Sequence, residues 1–211
     1  MRMRNKPWAL DYLSNHPTVV LDPTSFKGHW LNQTLYTSLS LEIGAGKGDY
    51  VHAMAKLYPD VLWVAVERDK NVSAVALKKF EDDPCQNVRW IVENAEALTD
   101  WFEQGEVSVL HLNFSDPWPK KAHTKRRLTS DAFIERMMKV GCSNLVVKLK
   151  TDNMNLFEFS LVQFSHFPFT LDECSVDYRR TAHPEDAITE YEHRFMDLNQ
   201  VIYRAVWRRK Q

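Results

Sequence analysis

Leu39-Ser40-Leu41-Glu42-Ile43-Gly44-Ala45-Gly46-Lys47-Gly48 decides how this chain is read. Its first five residues are a short apolar, β-type run that fits a buried strand, and the glycines follow without a spacer. Val51, Met54, Ala55 and Tyr58 then recur at helical spacing, and Pro59 ends the pattern. A glycine-rich turn between strand and helix lets the backbone approach a ligand closely. Three nucleotide-type ligands compete for such a turn. A Walker phosphate loop needs Ser or Thr after its lysine, and here Gly48 follows Lys47. A dinucleotide fingerprint spaces its third glycine one residue later. Glu42 sits two residues before the first glycine, where a phosphate site would avoid a carboxylate. It suits S-adenosylmethionine, which carries an ammonium and a sulfonium and no pyrophosphate.

Outward from this stretch, strand and helix patterns alternate. Val61–Val66 reads as a strand ending in Glu67, followed by a helix over Lys70–Phe80. Asn87–Val92 reads as a strand ending near Asn94, then a helical stretch over Ala95–Phe102 and a strand over Val107–Leu112. A helix over Asp131–Lys139, a strand over Leu145–Leu149 and a helix carrying Leu156, Phe157, Ser160, Leu161 and Phe164 continue the series. Phe169–Val176 and Val201–Trp207 fit a closing antiparallel pair, and 177–199 is a polar connection. The expected fold is α/β, Rossmann-like, with a mostly parallel seven-stranded sheet covered by helices on both faces. Residues 1–30 form an N-terminal arm, either frayed or ordering on an anionic partner, and 31–211 a single domain.

The totals exclude more than they assign. A chain of 211 residues is one domain with a substantial core. Its formal net charge of −1 does not announce a nucleic-acid binder, so that case rests on local clusters. Cys85, Cys142 and Cys174 are far apart and odd in number, which suits a reducing compartment without disulfides. The eight histidines lack ligand spacing, and no metal is expected. The basic start, with Arg2, Arg4 and Lys6, precedes no apolar signal region, and no apolar run suits a membrane span. The reading is a cytoplasmic protein, compatible with either monomer or homodimer.

A second stretch, Asn113-Phe114-Ser115-Asp116-Pro117-Trp118-Pro119-Lys120, follows the fourth strand. Prolines flank Trp118, so an acid, an aromatic ring and a lysine sit in a stiff turn at a strand's carboxyl end. Lys120–Arg127 holds five Lys/Arg in eight residues. Such a run is usually a solvated face; beside a nucleoside site it reads as a phosphate-gripping edge. Arg179, Arg180, Arg204, Arg208, Arg209 and Lys210 would extend it. Glu67 is placed to accept from ribose hydroxyls, though alone it reads equally as a surface acid. Asn94 suits an adenine edge or a helix cap, or both.

These residues resemble the bacterial tRNA (guanine-N7)-methyltransferases over essentially the whole chain. Leu41–Gly48 resembles the cofactor motif, Asn113–Lys120 the NFSDPWPK signature, and Lys120–Leu128 the basic tail that follows it. Lys150-Thr151-Asp152-Asn153 and Thr189-Glu190-Tyr191-Glu192 are similar to two further motifs, and 139–146 departs from the family pattern. The resemblance implies a class I methyltransferase binding S-adenosylmethionine through Glu42, Gly44, Gly46, Glu67, Asn94 and Asp116. It implies substrate contacts at Lys120, Asp152, Thr189, Glu190, Tyr191 and Glu192, with RNA along Ala122, His123, Thr124, Lys125, Arg126 and Arg127. The implied target is a guanine in the tRNA variable loop, with Asp116 the catalytic residue. A methyltransferase of another substrate, a noncatalytic RNA-binding protein and a nicotinamide dehydrogenase are the alternatives.

Overall fold

The computed structural model describes residues 4–32 and 35–210; Arg2, counted above in the basic start, lies outside them. Five strands are parallel: β1 (Ser38–Ile43), β2 (Val61–Val66), β3 (Val88–Ile91), β4 (Val107–Asn113) and β5 (Gly141–Thr151). β6 (Phe169–Ser175) and β7 (Tyr203–Arg209) close the sheet antiparallel, in the order β3-β2-β1-β4-β5-β7-β6. The helices are α1 (Ala9–Asn15), α2 (Asp49–Leu57), α3 (Lys70–Lys79), α4 (Leu98–Trp101), α5 (Asp131–Val140), α6 (Met154–Ser165) and α7 (Glu190–Asp197).

Strand periodicity divides the core between the two faces. Leu39, Leu41, Leu62 and Val64 join Phe133 and Met137 of α5 and Phe157 and Phe164 of α6 in one cluster. Trp63, Ala65 and Trp90 point the other way and pack with Leu13 of α1, Met54 of α2 and Leu77 of α3. Buried apolar side chains of this size each contribute about 1.5–3 kcal/mol relative to exposure, which is what holds helices on both faces. The segment 9–30 takes part: Ala9, Leu13, Val20 and Trp30 are buried, and Trp30 Nε1 donates to the Trp101 carbonyl at 2.8 Å.

Three elements differ from the sequence reading. β5 starts at Gly141 rather than Leu145, directly after α5, and a register shift against β4 absorbs the extra residues. The helical stretch after Asn94 is a 3-10 turn (Ala95–Ala97) leading into one turn of α4. The polar connection 177–199 contains α7, whose start is fixed by a reciprocal capping box between Thr189 and Glu192.

β1 is flanked by β2 on one side and β4 on the other, so the order of strands reverses between β1 and β4. In open α/β sheets the crevice for ligands opens at the carboxyl ends of such strands.

Candidate cofactor and substrate cleft

A cleft of about 1060 Å³ lies at that switch point. Its floor is the glycine turn. Gly44 (φ 80°) and Gly46 (φ 57°) occupy the left-handed region, and nothing lies within 4 Å of a Cβ placed on Gly44. The Gly44 and Ala45 amides donate to the Val66 carbonyl, which ties the turn to β2.

Glu42, at the end of β1, is 2% exposed. Its Oε1 accepts from Asn113 Nδ2 at 2.9 Å, while Oε2 has no partner. Burial pushes this carboxyl up to about 8, although Asn113 and the Lys150 charge pull the other way. Asn113 Oδ1 and Ser115 Oγ are likewise buried without partners, and all three residues line the cleft. An arriving ammonium favours the ionised form of Glu42, and the unpartnered oxygens of Glu42 and Asn113 then both accept from it, so the residues present suit S-adenosylmethionine. Glu67 accepts from the Gly46 amide at 3.1 Å and the Asp69 amide at 2.9 Å, which aims its carboxylate at the glycine turn. Asn94 caps the turn after β3, accepting from the Glu96 amide at 3.2 Å.

Opposite, β4 delivers the Asp116 turn. Phe114 (φ 52°) and Trp118 (φ 41°) bracket it in the left-handed region, a conformation non-glycine residues rarely adopt. Asp116 is exposed, and its Oδ2 lies 3.6 Å from Arg68 Nη2. Trp118 is half-buried, its ring under the Arg126 guanidinium at 4.9 Å and edge-on to His123 at 5.7 Å. The basic run is a 3-10 helix, Lys121–Arg126, and Lys125 and Arg126 face the cleft.

The family model described as "Putative methyltransferase" matches residues 36–205. The tRNA (guanine-N(7)-)-methyltransferase of Bacillus velezensis is 41% identical over 216 residues, covering 100% of this chain and 99% of its own. That of Bacillus subtilis is 41% identical over 97% of each chain. The chain belongs to the tRNA (guanine-N7)-methyltransferase family. Solved structures agree on the fold alone. The 16S rRNA methyltransferase KamB superposes with a TM-score of 0.61 at 17% identity, over 84% of this chain and 90% of its own. A SAM-dependent methyltransferase from Aquifex aeolicus gives 0.58 at 10% identity, over 97% and 94%. This member is therefore an S-adenosylmethionine-dependent methyltransferase with the class I sheet.

In this methyltransferase the cleft gathers Glu42, Gly44, Gly46, Glu67, Asn94 and Asp116, with Lys125, Arg126, Arg127, Thr189, Glu190 and Tyr191 around them. Lys120, Ala122, His123, Thr124, Asp152 and Glu192 are not part of its lining. Thr189 and Glu192 are spent on each other: the Thr189 amide donates to Glu192 Oε2 at 2.8 Å, and the Glu192 amide to Thr189 Oγ1 at 3.0 Å. Glu190 and Tyr191 are exposed; Lys47 Nζ lies 2.6 Å from Glu190 Oε1, and the Tyr191 ring stacks toward Phe114 at 6.2 Å.

Beneath the cleft lies a buried polar cluster that the sequence reading missed. Lys150 Nζ reaches Asp186 Oδ2 and Glu192 Oε2, both at 2.8 Å, and Arg179 bridges the same two acids. Tyr50 donates its hydroxyl to Asp186 Oδ1 at 2.8 Å and touches His111 Nδ1 at 3.0 Å. Burial would raise the Asp186 carboxyl, but Lys150 and Arg204 more than offset it and hold it at about 2. Burial also keeps His111 well below its ordinary value. Arg179 and Arg204, read from sequence as part of a basic edge, are buried ion partners here. Arg208 pairs with Asp172, and Arg209 donates to the Met138 and Gly141 carbonyls, so neither is a free cation. Two signals were present in the sequence: lysines inside an apolar strand, which need buried acids, and the T-x-x-E spacing of a capping box.

Proposed function

We propose that this enzyme transfers the methyl group of S-adenosylmethionine to N7 of a guanine in the tRNA variable loop, acting in the cytoplasm. The observation that carries the reading is the facing of two devices across one cleft: unpaired acceptors at Glu42 and Asn113, and the Asp116 turn with its basic rim. When bound, S-adenosylmethionine supplies an electrophilic methyl group on a sulfonium. Glu42 and Asn113 hold its ammonium, Glu67 its ribose hydroxyls and Asn94 its adenine edge. Gly44 and Gly46 leave room for it.

Guanine N7 carries a free lone pair and no proton at neutral pH, so the protein need not remove one. Its task is placement. Asp116 accepts from the guanine N1–H and amino group, which turns N7 toward the cofactor side of the cleft. Tyr191, exposed beside Phe114, offers a ring for the base, and Lys125 and Arg126 grip phosphates. Lys120 and Asp152, outside the lining, contact RNA beyond the target base. N7 faces the deep groove of an A-form helix, which side chains reach poorly, so the target comes from a loop or leaves its stack.

Unmodified tRNA transcripts incubated with labelled S-adenosylmethionine, then digested for nucleoside mass analysis, test the reading. 7-Methylguanosine at one variable-loop position is the expected product. Methylation of another atom, or of protein but not RNA, refutes it.

A further inference from the structure

Arg127 closes the basic run, yet its surroundings are those of an internal side chain. It is only 7% exposed, whereas its neighbours Lys125 and Arg126 are open to solvent. The side chain turns back from the end of the 3-10 helix toward the Asp116 turn. Nε donates to the Pro117 carbonyl at 2.8 Å and Nη2 to the Trp118 carbonyl at 3.3 Å. The guanidinium also lies over the Phe159 ring of α6, 4.4 Å from its centroid. Among the described residues no carboxylate pairs with it. Two of its five N–H donors are thus committed to the turn, and a guanidinium this deeply covered grips a phosphate less readily than the open Lys125 and Arg126.

We infer that Arg127 is a positioning residue, which clamps the Pro117 and Trp118 carbonyls so that Asp116 points into the cleft, rather than an RNA contact. The turn needs such a clamp. Trp118 stands at φ 41°, which an aromatic residue adopts only when its surroundings hold it there. Pro117 and Pro119 have no N–H, so the turn cannot close itself with a ladder of backbone bonds. The carbonyls are the handles left, and a planar guanidinium reaches two of them from one fixed fork. Phe159 fixes the other side of that fork through α6. All three cations border the cleft, but Lys125 and Arg126 stay open to solvent, while Arg127, just past the 3-10 helix, is buried against the turn that carries Asp116.

The inference rests on the proposed tRNA guanine reaction for its kinetic reading, and a second readout frees it from that. Arg127→Lys, Arg127→Ala and Arg126→Ala are compared with the wild type on tRNA transcripts at several salt concentrations. For Arg127→Lys, kcat falls by at least about tenfold while KM for tRNA, its salt dependence and S-adenosylmethionine affinity stay at wild-type values. For Arg126→Ala, tRNA binding weakens and the salt slope drops by about one, with kcat retained. Arg127→Ala behaving like Arg126→Ala, or Arg127→Lys retaining full kcat, overturns the inference. Hydrogen exchange at the amides of residues 114–120 needs no substrate: Arg127→Lys accelerates it, and unchanged protection overturns the clamp. A wild type inactive on tRNA refutes the functional reading instead and leaves the clamp to be decided by exchange.

Discussion

Lys150 Nζ lies 2.8 Å from Glu192 Oε2, and neither side chain is reached by solvent. The pair joins the centre of the sheet to the first turn of α7, the helix that brings Glu190 and Tyr191 to the cleft. Lys150 also serves Asp186 at 2.8 Å and the Ala187 carbonyl at 3.0 Å, so it holds the whole 186–192 segment down. Lys150→Met leaves two buried carboxylates short of a cation. Breaking such a cluster from one side destabilises by about 3–5 kcal/mol. The half-exposed Lys47–Glu190 pair is worth about 0–1 kcal/mol to stability. Urea unfolding of Lys150→Met and Lys47→Met measures both. Equal losses in the two variants would contradict the burial argument.

Glu42 makes stability depend on pH. In the folded chain it keeps its proton up to about 8, whereas an unfolded glutamate loses it near 4.5. Between those values the native state binds more protons than the unfolded state. Its stabilising contribution is complete below 4.5 and is lost as pH rises toward 8, with a slope of up to about 1.4 kcal/mol per pH unit. Asp186 acts in the opposite sense in a separate window, contributing above its ordinary 3.8 and losing that contribution as pH falls to about 2. Glu42→Gln flattens the profile between pH 5 and 8. Chemical denaturation of both proteins across that range checks it, and parallel profiles would rule out Glu42 as the source.

The fold was legible because its signals are local. Most parallel strands are short apolar runs, and β1, β2, β3 and β4 lead into residues that line the cleft, among them Glu42, Glu67, Asn94 and Asp116, whereas β5 does not. α7 was not found, because residues 177–199 lack an apolar stripe; what fixes the helix is the Thr189–Glu192 box and a cation from β5. The same distance in sequence hid the Lys150–Asp186 pair, 36 residues apart, and turned Arg179 and Arg204 from apparent surface charge into internal partners. Composition counts a cation, but only packing says which way it points. Arg127 is the sharpest instance, buried and bonded to the Pro117 carbonyl while the adjacent Arg126 stays exposed.

Gly48 precedes α2 with φ 79°, and a Cβ there would stand 3.2 Å from the Trp90 ring. Gly48→Ala therefore meets two obstacles, a backbone conformation that disfavours side chains and an indole locked in the core. The expected loss is about 1–3 kcal/mol. Gly44→Ala has the first obstacle without the second, since nothing lies within 4 Å of its Cβ position. Thermal unfolding of the two variants separates them: Gly48→Ala is the less stable, and Gly44→Ala loses cofactor affinity by filling the cleft floor. A Gly48→Ala protein as stable as the wild type would mean that Trp90 yields at no cost.

Asp116 is exposed and stands on a turn held from below, so its removal tests chemistry with little effect on folding. Its Arg68 neighbour, 3.6 Å away at the surface, adds little to stability. Asp116→Ala is expected to unfold within about 0.5 kcal/mol of the wild type. On the proposed role of Asp116, the variant loses a charge-assisted pair to the guanine edge worth about 1.5–3 kcal/mol, together with the orientation of N7, so methylation is expected to fall below detection in a standard assay. Asp116→Asn is no better, because its amide N–H₂ meets the guanine N1–H and amino donors with a donor of its own. The two variants, assayed with 7-deazaguanosine-free and 7-deazaguanosine-containing transcripts as positive and blank substrates, isolate the contribution of this carboxylate. Turnover by Asp116→Asn near the wild-type rate would remove guanine-edge recognition from Asp116 and return that role to the cleft's other polar groups.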